Sequence, residues 1–235
     1  DGHYLLAGYP WFHVRARDQF VALPGCTLSI HHRQDYEAIM DTSVRVMTDW
    51  MREGKQDKHL KDVDQPDVPL WIIWGLQRYS HDQSNDICRE RYGTLIKEML
   101  NFMLDGKHPN VKVAPNGLLT VDGTRTPMSW MNSTYNDGTP VVPRTGYLVE
   151  VNGLWYNALM FDIETFESDE TSSTDVARWR DVAQRVKVSF VETFLNDYGY
   201  LYDYVSGSYT DLSVRPNMVI AAGLDYSPLD RRQRK

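Results

Sequence analysis

The residues best suited to chemistry fall in a few short strings. Glu150 and Asn152 stand among apolar residues where a helical pattern begins, Val149-Glu150-Val151-Asn152-Gly153-Leu154-Trp155-Tyr156-Asn157. A carboxylate there is expensive to desolvate unless it is paired or functional. Arg144 is an available partner, so a structural salt bridge and a catalytic carboxyl fit the spacing equally well. Near the start, Gly8-Tyr9-Pro10-Trp11-Phe12 precedes Arg17-Asp18 and Leu23-Pro24-Gly25. A Pro-aromatic turn beside an Arg-Asp pair offers a stacking face and both hydrogen-bond polarities, the mix that sugar hydroxyls need. A helix-start turn with a surface ion pair explains the same string and has a slight edge on spacing alone. Gln65-Pro66-Asp67 leads into Leu70-Trp71-Ile72-Ile73-Trp74, where an N-cap is the favoured role for Asp67. Two further strings are Ser129-Trp130-Met131-Asn132, ahead of Pro143-Arg144, and Tyr200-Leu201-Tyr202-Asp203 with Val214-Arg215-Pro216-Asn217. His31-His32 is an adjacent pair on a helix-start loop, whose rings point apart and are solvated rather than metal-bound. No HExxH, Cys/His ligand spacing, GxSxG or P-loop pattern occurs, which removes support from metal, acyl-transfer and nucleotide chemistry.

The elements that must position these groups are helical. Tyr36, Ile39, Met40, Val44, Met47 and Met51 recur at three- and four-residue steps, which predicts a helix over 34–53 ended by Gly54. The run after Pro69 is apolar nearly all round and predicts a buried helix to about Tyr79. Ile87 to Met103 predicts a third, closed by Gly106. From 107 to 148 the prolines forbid long helices, and a connection of that length usually carries function. Helices are expected again over about 149–166, 175–196 and 216–224, separated by an acidic Ser/Thr-rich loop (Glu167 to Thr174) and a Gly/Tyr-rich loop (198–215). Helices alternating with loops, without strand runs, predict an all-α domain of stacked helix pairs with its loops gathered at the helix ends.

Composition narrows the function classes. The 25 Lys and Arg against 32 Asp and Glu give a net charge of -7, and no basic, aromatic-interleaved stretch suggests a nucleic-acid surface. No apolar run approaches the roughly 20 residues of a membrane span. Cys26 and Cys88 make no disulfide framework, and the cytoplasm is the expected compartment. The 7 Trp and 14 Tyr suit both a large core and a sugar-binding cleft. The opening Asp1-Gly2-His3, without Met or a signal pattern, and the stop at Lys235 suggest a fragment of a longer chain.

Taken together, these strings resemble the amylo-α-1,6-glucosidase domain of glycogen debranching enzymes. The resemblance rests on Ala7-Gly8-Tyr9-Pro10-Trp11-Phe12, Arg17-Asp18, Ala22-Leu23-Pro24-Gly25, Leu70 to Trp74, Gly117-Leu118-Leu119-Thr120, Ser129-Trp130-Met131 through Pro143-Arg144 to Leu159, Gly199 to Asp203, Arg215-Pro216-Asn217 and Tyr226-Ser227-Pro228-Leu229, in order along the chain. It implies an (α/α)6 toroid of six helical hairpins, with the active site where the inner helices begin, and inverting hydrolysis of the α-1,6-linked glucose left at a trimmed branch point of glycogen or another branched α-glucan. Arg17 and Asp18 would hold the terminal glucose and Trp11 would pack on its ring. Arg144, Glu150 and Tyr156 would line the same cleft, with Asp67, Trp130 and Arg215 in the substrate-binding set. No metal or organic cofactor is required.

The sequence also departs from the family pattern. Many relatives carry Asp after Trp-Met, at the position of the general acid, where this chain has Asn132. An amide cannot donate the proton, so Glu150, or failing it Asp137, takes that task, or hydrolysis is impaired. His13-Val14-Arg15-Ala16 replaces a Gly, Asp, Trp, Gly segment of many relatives. The family's C-terminal part, with the expected catalytic base, lies beyond Lys235, so 1–235 is expected to be one incomplete toroid domain. An inverting mechanism needs two carboxyl groups about 6.5–9.5 Å apart. The competing readings are a non-catalytic α-glucan-binding relative and a helical interaction domain. The hydrolase reading requires Trp11, Arg17, Asp18, Arg144 and Glu150 to share one sugar-sized pocket.

Overall fold

In the computed structural model, residues 2–166 and 173–234 are described. Most of the expected acidic loop, Glu167 to Thr174, lies outside them. The chain forms two compact units, residues 1–102 and 103–235. The fold is mostly helical, with seven α-helices among the described residues, none long and apolar enough to cross a membrane.

The first unit contains α1 (Ala16–Cys26), α2 (Arg33–Glu53), α3 (Val68–Asp82) and most of α4 (Asn85–Leu104). Helix α3 is buried as its composition predicts, with Val68, Leu70, Ile72, Ile73 and Leu76 shielded from solvent. It meets α2 closely, because Gly75 leaves its carbonyl open to the Tyr36 hydroxyl at 2.8 Å. Tyr36 stacks on Tyr79, and Tyr79 meets the edge of Tyr92, so three aromatic rings join α2, α3 and α4. Helix α1 starts at Ala16, which puts Arg17-Asp18 at a helix start as the favoured reading of that string expects, and it continues through Leu23-Pro24-Gly25. Ala16, Phe20 and Leu23 recur at helical steps and are buried against α3. Pro24 removes only one late hydrogen-bond donor, since the helix ends at Cys26.

The second unit is built around α5 (Val149–Phe166), which packs on α6 (Ser173–Phe194) and α7 (Asn217–Gly223). Its short strands correct the expectation of no strand structure. β1 (Lys112–Val113) pairs antiparallel with β2 (Leu119–Thr120), while β3 (Tyr147–Leu148), β4 (Tyr204–Ser206) and β5 (Tyr209–Thr210) form an antiparallel sheet. At two or three residues each, they are too short to show an alternating pattern. Tyr147 lies opposite Val205 and Leu148 opposite Tyr204, which brings the Tyr-rich loop to the start of α5. Gly146, at φ +80°, is required there because a Cβ would lie 2.3 Å from the Val205 carbonyl oxygen.

Three polar side chains of α5 bind backbone groups of the preceding and following loops. Asn152 Oδ1 accepts from the Leu119 N–H at 2.7 Å, and its Nδ2 donates to the Leu119 and Leu148 carbonyls at 3.0 Å. The Trp155 indole donates to the Gly117 carbonyl at 3.1 Å, and Asn157 accepts from the Tyr226 N–H at 3.1 Å. Gly153 lets α7 approach, since a Cβ there would lie 2.8 Å from that of Ala221. Gly153→Ala should therefore destabilise the second unit by about 1–3 kcal/mol through overpacking, despite the better helix propensity of Ala. Urea unfolding measures this, and unchanged stability would show that α7 moves aside at no cost.

Candidate active site

The candidate residues divide between the two units, and each group is built within its own. In the first, Arg17 lies in the opening turn of α1 and Asp67 immediately before α3. Both are buried, and the guanidinium clasps the carboxylate with Nε to Oδ2 at 2.7 Å and Nη2 to Oδ1 at 2.8 Å. Gln65 accepts from Nη2 at 3.1 Å, and the Trp71 indole donates to Asp67 at 3.2 Å. The Asp67 side chain thus makes no N-cap bond to α3, which corrects the favoured sequence expectation; it pins α1 to α3 instead. Burial lowers the pKa of Arg17, but the charge and hydrogen bonds of Asp67 more than offset this and raise it overall. Arg17 is paired with Asp67 rather than held in a surface pair with Asp18, which is exposed.

Trp11 projects from a turn closed by a hydrogen bond from the Phe12 N–H to the Gly8 carbonyl at 2.7 Å. Tyr9, Trp11 and Phe12 are 89%, 74% and 56% exposed, so this turn displays aromatic faces to solvent. The departing segment His13–Ala16 is anchored through backbone contact, with the Ala16 N–H donating to the Lys61 carbonyl at 3.0 Å, while the Arg15 guanidinium lies 5.7 Å from the Phe12 ring centre.

The second unit contains a denser arrangement. Arg144 is buried at the centre of four strings spread over almost ninety residues of sequence. Its Nη1 and Nη2 donate to the two oxygens of Glu150 at 2.5 and 2.6 Å. Nε donates to Asp203 Oδ2 at 2.8 Å, Nη2 also reaches the Asp203 carbonyl at 3.1 Å, and Nη1 donates to the Ser129 hydroxyl at 3.0 Å. Burial disfavours the charge on Arg144, but Glu150 and Asp203 reverse this, and its pKa is raised.

Asp203 connects this pair to the next layer. It also accepts from Arg215 Nη1 at 2.7 Å and from Asn217 Nδ2 at 2.6 Å. Arg215 further contacts Asp211 at 3.0 Å. Asn217, its amide fixed by Asp203, accepts from the Trp130 indole at 2.7 Å and places its Nδ2 3.3 Å from the Met131 sulfur. The orientation of Trp130 therefore depends on Asp203 through one intervening amide. Trp130 is 40% exposed and the Arg215 side chain 20% exposed, so these two carry the network to the surface.

This geometry corrects several sequence expectations. All five N–H groups of Arg144 are engaged by Glu150, Asp203 and Ser129. Glu150 is fully buried and accepts from the same guanidinium through both oxygens. Asp137 is exposed, and its pKa is lowered by hydrogen bonds from the Thr139 hydroxyl at 2.7 Å and N–H at 2.9 Å, the opposite of what a general acid needs. Tyr156 is buried within α5, and burial raises its pKa. Asn132 is exposed immediately after the pinned Trp130-Met131 pair.

Asp203 and Asn217 entered the sequence reading as parts of motifs and not as site residues. The signal for Asp203 was the one already used for Glu150, an acidic residue at the end of an apolar, aromatic run. Among the described residues, no cluster of three His, Cys, Asp or Glu side chains is arranged to hold a metal ion. A cavity of about 400 Å³ elsewhere in the first unit is lined by Tyr4, Arg45, Asp49 and Asp57.

Arg144→Met would leave the buried Glu150 carboxylate without its cation and take one of two guanidinium partners from Asp203, and denaturant unfolding should show a loss of about 3–5 kcal/mol. Acid sensitivity provides a second check. Burial pushes the Asp211 carboxyl up, but hydrogen bonds from Ser213 and the charge of Arg215 prevail, leaving its pKa below the ordinary value. A carboxyl lowered on folding stabilises above its unfolded pKa of about 3.9, and that contribution is lost as the pH falls through the lower folded value. Below pH 3.9, wild type should accordingly lose stability more steeply than Asp211→Asn. Parallel acid-unfolding curves would show that Asp211 contributes nothing.

A family model described as Amylo-alpha-1,6-glucosidase matches residues 1–235. No curated protein matches the chain.

Proposed function

We propose, because the chain belongs to the amylo-α-1,6-glucosidase family, that it is a debranching-type glycoside hydrolase domain acting on the α-1,6-linked glucosyl stub of a trimmed branched glucan such as glycogen, by inversion, within an (α/α)6 toroid. The proposed compartment is the cytoplasm. The observation that supports this most is the convergence of Ser129-Trp130-Met131, Arg144, Glu150, Asp203 and Arg215-Pro216-Asn217 on one buried, hydrogen-bonded network. Such a network holds an exposed indole and a partly exposed guanidinium in fixed positions. This is how a site is preorganised for a substrate with a flat apolar face and a rim of hydroxyls.

In this reading Trp130 and Arg215 contact the sugar, while Arg144, Glu150, Asp203 and Asn217 fix their positions. Within the first unit, taken by itself, Trp11 and Asp18 are the residues that offer a sugar contact, with the Arg17–Asp67 pair as their support. Hydrolysis requires a proton for the departing glycosidic oxygen and a base to activate water. Asn132 stands where the proton donor is expected and has none to give at neutral pH. Asn132 therefore favours binding of the branch point over its turnover.

The test is glucose release from a phosphorylase-limit glucan by the full-length protein that carries this chain, as wild type and as Asn132→Asp, because the base is expected beyond Lys235, with glucan binding measured in parallel. Wild type should bind glucan and release little glucose, and Asn132→Asp should raise release by about a hundredfold or more. Efficient wild-type release, unaffected by this substitution, would refute the assignment of Asn132. Asn132 also favours a second reading, a non-catalytic α-glucan-binding domain. It predicts that glucan binding persists with no release from either protein, whereas failure to bind glucan refutes both.

A further inference from the structure

The turn after α6 is ordered by one buried side chain. Asn196, only 7% exposed, accepts through Oδ1 from the N–H groups of Tyr198 at 2.9 Å and Tyr200 at 3.3 Å. Its backbone N–H donates to the Tyr200 carbonyl, and its carbonyl accepts from Gly199, both at 3.0 Å. Gly199 provides the positive φ of +83° on which the turn depends. The two tyrosine rings on either side of it are nearly parallel, with centres 6.2 Å apart and planes inclined by 24°. Tyr198 is 78% exposed, and the Tyr200 hydroxyl donates to the Leu212 carbonyl at 3.4 Å, tying the pair to the chain ahead of Arg215.

A single exposed tyrosine needs no explanation. Two nearly parallel rings, on backbone ordered by the same buried amide, make an aromatic ledge on the scale of a pyranose ring. We propose that this ledge docks a linear α-1,4-glucan chain, in addition to the network around Arg144. The ring faces suit the C–H faces of successive glucosyl units, and the Tyr198 hydroxyl and the exposed Asp197 carboxylate are placed to exchange hydrogen bonds with sugar hydroxyls. The inference rests on the glucan substrate class of the proposed function. A branch stub is one feature of a polymer with many outer chains, and holding an outer chain raises the effective concentration of the stub without any new contact to it.

The experiment measures retention of the full chain on glycogen, with maltoheptaose as competitor, alongside glucose release from a limit glucan. Tyr198→Ala and Tyr198→Ala with Tyr200→Ala should weaken retention, the double variant by about tenfold, while Tyr198→Phe retains most of it. Circular dichroism and thermal melts confirm that the variants are folded; if the double variant is not, the exposed single substitution decides the outcome. Retention unchanged in Tyr198→Ala, or absent in the wild type, overturns the ledge. Glucose release is read separately, so a chain that hydrolyses glucan without using the ledge refutes this inference and leaves the proposed function standing.

Discussion

A guanidinium group has five N–H donors, and leaving any of them unpaired in a protein interior is costly. Arg144 meets this constraint by binding groups from three other stretches of chain. Glu150 comes from the start of α5, Asp203 from the approach to β4, and Ser129 from the Pro-rich segment. Two arginines, Arg144 and Arg215, face three carboxylates, Glu150, Asp203 and Asp211, so charge is nearly balanced within the network. Replacing the set by apolar residues of similar volume could give a more stable protein, but it would lose the directional bonds that orient Trp130.

The first unit uses the same device on a smaller scale. Asp67 and Arg17 lie in different helices and fit each other in a bidentate clasp, with the Trp71 indole as a third partner. The exposed aromatic turn at Gly8–Phe12 precedes a helix whose first turn is fixed by that clasp. In both units, then, a buried ion pair underlies a surface of aromatic groups. The buried charges are inaccessible to solutes and organise the residues that are not.

Much of this was legible in the sequence where the period was long enough to register. Helices α2 to α7 follow from apolar spacing, and the ends of α2 and α4 from Gly54 and Gly106. Helix α1 was hidden by Pro24-Gly25, although Ala16, Phe20 and Leu23 carried a helical period. The strands were illegible because two residues cannot define an alternation, and their pairing is set by contacts many positions away. For the site, an acidic residue in apolar surroundings correctly marked Glu150 as paired or functional, and Arg144 as its partner. It could not show that Asp203 also claims the same guanidinium, because that depends on how a loop fifty-nine residues later returns to the start of α5. Asp67 was misassigned for a related reason: its local role was visible, and its partner lay fifty residues earlier.

The way Asn152 meets its neighbours has an evolutionary consequence. It recognises the peptide groups of Leu119 and Leu148, and those groups are the same whatever side chain a residue carries. Substitutions at 119 and 148 that keep the apolar volume would leave this recognition intact, whereas a change at 152 would break it with both strands at once. Drift should therefore be uneven, slow in the helix and faster in the segments it holds.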